Sequence, residues 1–146
     1  MSWTTDLLAA FSVRLAAAGV GVWHPDGSPY GAAEIAIVHW ALPSAPDRAL
    51  ALATYGVDQL ADDPVNTDGT LGLQVRMRGA REDPGSVNDI ADHVFDVLQG
   101  LEAPADGVLL CTRRMQAAMG VDSLHRWERA DSYHLLIHQP SSNRPG

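Results

Sequence analysis

His134 and His138 stand four residues apart, the spacing that sets two zinc ligands on one face of a helix. The carboxylate such a motif carries after its first histidine is replaced by Leu135, and Tyr133, Leu135 and Ile137 alternate as they would in a strand. On a strand the two imidazoles sit about 13 Å apart, too far to share an ion directly. They read as two polar-face histidines. Asn66, Asp68 and Gly69 match the middle of a calcium loop, but its first and twelfth positions fall on Pro64 and Val75, so both carboxylate anchors are missing. Cys111, the single cysteine, follows Val108, Leu109 and Leu110, which places it in a core and not beside an activating base. No serine sits in a G-x-S-x-G elbow, and a chain without lysine has no phosphate-binding Gly-Lys-Ser/Thr loop. Spacing therefore points to no catalytic residue, no metal site and no cofactor.

Charged and aromatic residues offer recognition instead. All ten basic residues are arginine, against 18 acidic ones, for a net charge of −8. An acidic chain repels phosphate backbones, which disfavours general nucleic-acid binding. Arg76, Arg78 and Arg81, with Arg113 and Arg114, suit the polar side of a sheet, where their forks match carboxylates on a neighbouring subunit. Two acidic surfaces could answer them. One is a helix face bearing Asp89, Asp92 and Asp96; the other is a loop from Gly56 to Thr70 that holds Asp58, Asp62, Asp63 and Asp68 and no basic residue. Trp127, inside the run His125-Arg126-Trp127-Glu128-Arg129, is either a strand residue with its indole turned inward or an interface anchor.

The elements that must position these residues follow from periodicity. A chain of 146 residues with 46% hydrophobic and 19% charged residues is one packed domain, and one cysteine leaves the fold independent of an oxidising compartment. Leu7 to Ala18 is apolar, but Asp6, Arg14 and the lack of a basic leader argue against a signal peptide. No 18-residue apolar stretch exists to span a membrane. Trp3, Leu7, Leu8, Phe11 and Leu15 form a helical stripe capped by Thr4 or Thr5 and stopped at Gly19. Strands are expected over Val20–Trp23, Glu34–Leu42 and Leu71–Arg78, the last with one buried and one wet face. Arg48–Tyr55 is compatible with helix by composition and with strand by its period of two, and is assigned as strand. Asp83 or Ser86 caps a second helix with the stripe Val87, Ile90, Ala91, Val94, Val97 and Leu98, ending at Gly100. After a turn from Pro104 to Gly107, Val108–Arg113 reads as a buried strand, and Trp127–Ala130 followed by Ser132–Gln139 as a hairpin. The expected architecture is a single α+β domain, a mixed but mostly antiparallel sheet with two main helices on one face, over residues 1–139, followed by a polar tail, 140–146.

The order of segments resembles the minor capsid or tail terminator family of long-tailed bacteriophages, especially those of GC-rich actinobacteria or a related prophage. The residues that carry the likeness are GVGVW at Gly19 to Trp23, APDRALAL from Ala45, QVRMRG at Gln74 to Gly79, DPGSVNDIADHVFDVLQG from Asp83 to Gly100, RWERADSYHL from Arg126, and RPG at Arg144 to Gly146. Ser132 departs from the family pattern, in which Asn more usually precedes the Tyr. The resemblance implies a non-enzymatic virion protein of the head–tail junction, assembled in the host cytoplasm. It implies a homo-oligomeric ring, typically a hexamer, that caps the tail tube, stops its elongation and offers a surface to the head. Its partners would be the tail tube protein and a head-completion or connector protein, with DNA only as a passenger through the lumen and no membrane. Arg76, Arg78, Arg126 and Trp127 against Asp89, Asp92 and Asp96, or against the acidic loop, are the expected subunit contacts. The alternatives are another neck component and a small oligomeric enzyme or ligand-binding protein.

Overall fold

The computed structural model describes residues 2–57 and 68–143. It opens with helix α1 (Trp3–Ala17), whose cap is Ser2 and not Thr4 or Thr5: the Ser2 hydroxyl oxygen accepts the Thr5 N–H at 3.0 Å. Gly19, at a φ of 80°, turns the chain out of the helix. Three strands follow, β1 (Val22–Trp23), β2 (Ala36–His39) and β3 (Ala49–Gly56), then the long β4 (Asp68–Arg81) and helix α2 (Pro84–Leu98). A short β5 (Leu101–Ala103) and a 3-10 turn at Pro104–Asp106 lead into β6 (Val108–Val121) and β7 (Arg126–His138).

The strands form one mixed sheet in the order β1-β2-β3-β4-β7-β6-β5. β1, β2 and β3 run parallel, and every other neighbouring pair is antiparallel. Both helices pack on the same side. Leu8, Phe11 and Leu15 of α1 and Val87, Ala91, Val94 and Leu98 of α2 close over Ile37, Leu50, Leu52, Leu73, Val75, Met77, Cys111, Tyr133 and Leu135. These sheet residues alternate with the other face, as a strand with one packed side requires. The fold is thus the expected single α+β domain with two helices on one face of a mostly antiparallel sheet.

Gly79 lets α2 reach the sheet. A Cβ built there would lie 2.6 Å from the backbone nitrogen of Val87 in the first turns of α2, a contact that backbone cannot relieve. Asp83 starts this helix by accepting the Gly85 N–H at 3.2 Å, and Gly100 at a φ of 76° follows its end.

Several expected elements differ in extent. Arg48–Tyr55 is indeed a strand: Leu50 and Leu52 join the core, and Ala49 and Ala51 on the other face are buried too. The hairpin expected within Trp127–Gln139 is instead one continuous strand, β7, which pairs with β4 on one side and β6 on the other. Ser132 stands opposite Gln74 and Met115 inside the ladders. The true hairpin joins β6 to β7, with its turn at 122–125. β6 runs eight residues past its expected end at Arg113, since Arg114 to Val121 are largely exposed and lack the alternation that marks a strand packed on one side. Asp68 belongs to β4 and not to a loop. Asp58, Asp62 and Asp63 lie outside the described residues, as does Arg144.

Candidate subunit and partner interface

Arginines on the uncovered face of the sheet fall into two groups. Arg76 is half exposed and donates to Glu128 Oε1 through Nε at 3.2 Å and Nη2 at 3.0 Å. Arg78 and Arg126, expected at a subunit contact, are 4% and 5% exposed. The nine residues 40–48 that link the parallel neighbours β2 and β3 account for this. Parallel strands need a crossover, and the carbonyls of this one require donors wherever it packs on protein. Arg78 donates to the carbonyls of Asp47, at 2.8 Å, and Pro46, at 2.7 Å, and Arg126 donates to the carbonyl of Ser44 at 2.8 Å. Arg126 also holds Asp122 Oδ2 at 2.8 Å and Asp47 Oδ1 at 3.2 Å, and Arg81 holds Asp47 at 3.1 Å. Partial desolvation opposes ionisation of Asp47, but the hydrogen bonds from Arg81 and Arg126 outweigh it and keep the carboxyl below its ordinary range. These guanidiniums clasp the crossover to the hairpin turn within one chain, so Arg78 and Arg126 are engaged internally rather than presented at the surface.

A second charged cluster lies beneath α2. Asp131 is fully buried and accepts from Arg129 Nε at 2.8 Å and Nη2 at 3.1 Å, with Arg113 Nη1 at 3.5 Å. Arg129 also reaches Asn88 on α2 at 3.0 Å and Gln116 on β6, and the Arg113 guanidinium lies 4.1 Å from the Phe95 ring centre. The network ties α2 to the β6–β7 hairpin.

Three features face outward without such ties. Asp89, Asp92 and Asp96 project from the exposed side of α2 and make no ion pair among the described residues. Arg114 is exposed and has no described partner. The end of the β6–β7 hairpin carries Met115, Met119, Val121, Leu124 and Trp127, all exposed, with Met115 at 62%. Trp127, paired opposite Val121, belongs to this apolar end and not to the core. The sequence signal for the patch was the run Met115-Gln116-Ala117-Ala118-Met119, apolar with neither a strand's alternation nor a charge.

Little else in the molecule is chemically equipped. Burial pushes the Cys111 thiol up to about 12, so it holds its proton at neutral pH. His134 and His138 both lie on β7, and His138 Nδ1 meets Asp68 Oδ1 at 3.2 Å. Among the described residues no three His, Cys, Asp or Glu side chains gather as a metal set, and no helix is long and apolar enough to cross a membrane. A depression of about 530 Å³ at one end of the uncovered face is lined by Thr70, Thr112, Arg114 and His134 among others.

No protein-family model and no curated protein sequence matches the chain. Among solved structures it resembles a chain of the "Virion of native gene transfer agent (GTA) particle", with a TM-score of 0.50 and 13% identity, covering 70% of this chain and 78% of that one. At this identity the likeness is one of fold. The shared architecture covers most of both chains.

Proposed function

We propose that this chain is a structural protein of a phage-like particle, a non-enzymatic ring subunit of the head–tail junction. The observation that carries the reading is its fold likeness to a chain of a gene transfer agent virion. The order of sequence segments supports the finer role: a ring of six subunits that caps the tail tube, stops its growth and presents a surface to the head. Cyclic assembly needs two different complementary surfaces on each subunit, and the acidic face of α2 and the hairpin end are such a pair. Six copies of a chain at −8 make a strongly acidic ring, which would let DNA pass through its lumen without adhering.

The reading is tested by mixing the labelled protein with assembled tail tubes and locating the label by microscopy. Six copies at one end of each tube are expected. Label along the tube walls, or none on the tubes, would contradict it.

A further inference from the structure

We infer that the outer edge of β6 from Thr112 to Val121, with the apolar hairpin end beyond it, docks on the acidic face of α2 in a second copy of this chain. The inference deepens the ring reading and rests on it. β5 pairs with β6 only as far as Cys111, and past that point the outer side of β6 has no strand neighbour among the described residues. Long free edges are normally protected by charge, proline or a covering element. Met115 to Val121 contains no charge and no proline, and its backbone donors and acceptors lie open beside exposed Met115, Met119 and Val121. Such an edge is built to be covered.

Three observations say what covers it. The first is charge: residues 112–127 hold three arginines and one aspartate in a chain of net −8, and with Arg113 and Arg126 paired internally, Arg114 is left for a partner. A second acidic copy supplies Asp89, Asp92 and Asp96, which have no ion pair of their own among the described residues. The second is hydrogen bonding. Where this edge begins, the side-chain oxygen of Gln99, just past the end of α2, already accepts the Arg113 N–H at 2.7 Å. Carboxylates on a neighbour's α2 would accept further edge N–H groups in the same way, and charged acceptors make the stronger bonds. The third is shape. α1 packs beside α2 and exposes Val13 at 56%, which gives the hairpin methionines an apolar neighbour in the same helix layer. Edge and helix face are different surfaces of one subunit, so the contact is head-to-tail and closes into a ring when the rotation allows.

A double variant, Ala118→Cys with His93→Cys, two exposed positions that leave Arg114 and the three aspartates in place, tests the contact in assembled particles treated with a short bismaleimide; the native thiol, Cys111, is buried and contributes no background. A covalent ladder ending at a closed hexamer is expected, with each single variant remaining monomeric and Met119→Asp abolishing the ladder. Dimers from Ala118→Cys alone would mean two-fold edge pairing and overturn the inference. Rings present in the same particles without any ladder would overturn it and leave the ring reading intact, whereas particles without rings would remove both.

Discussion

Asp131 shows how much a single carboxylate holds in place. It is fully buried between Arg129 and Arg113, so Asp131→Ala would leave two largely desolvated guanidiniums without their counter-charge. Breaking a buried pair from one side costs about 3–5 kcal/mol, and urea denaturation should show a loss of that order; a loss under about 1 kcal/mol would contradict the network. Cys111 makes the opposite case, since its burial and raised pKa predict that the folded protein resists iodoacetamide at pH 8 and reacts only once unfolded. His39 carries a pH signature. Its Nε2 lies 2.8 Å from Ser12 Oγ, whose proton goes to the Leu8 carbonyl, so the imidazole donates. Burial lowers its pKa from 6.5, the dominant effect. The unfolded chain therefore takes up a proton first as pH falls, so the stability this residue contributes is complete above about pH 6.5 and is lost below it. Denaturation measured from about pH 7.5 down to pH 5.5 should show this decline in the parent and a shallower one in His39→Gln; equal slopes would contradict it. At this scale the sequence showed Cys111 as a core residue through its apolar neighbours. It hid Arg78 and Arg126, whose alternation matches a wet strand face, because a distant loop covers them and no local pattern records that.

Among the elements, those packed on one side were legible and those fixed by long-range pairing were not. α1, α2 and β4 present one apolar stripe each, and most of their expected residues are buried, with Trp3, Leu71 and Val97 at the stripe ends half-buried. β3 is compatible with helix by its alanine and leucine content, and only the alternation of Leu50 and Leu52 with Ala49, Ala51 and Ala53 marks it as strand. β6 beyond Arg113 carried no period, since neither of its faces is packed there. The join between α2 and β4 gives a sharp prediction. Gly79→Ala must displace the Val87 backbone and should lower Tm by several degrees. Gly56→Ala, in a strand position with open space around it, should change Tm little. Similar losses in both would show that close approach at Gly79 is not what seats the helix.

At the scale of the whole molecule, the two signs of charge are distributed differently. The acidic residues of α2 lie outward and unpaired, while most described arginines are spent inside the chain, on the crossover 40–48 and beneath α2. The fold class was legible from the sequence because hydrophobic periodicity reports which face of each element is packed. The surfaces of the proposed contact were only half legible: the Asp89, Asp92 and Asp96 face followed from helical spacing, whereas the hairpin edge depends on where β5 stops. Arg76→Gln, which removes the half-exposed cation without setting a second carboxylate against Glu128, should weaken assembly while lowering stability by no more than about 1 kcal/mol, as expected for a largely exposed pair. Analytical ultracentrifugation of the variant and parent checks this, and unchanged sedimentation would remove Arg76 from the contact. The proposed role at the tail's end is tested most directly by negative-stain microscopy of particles produced without this protein. Overlong tails lacking heads are the predicted result, and tails of normal length joined to filled heads would contradict the account.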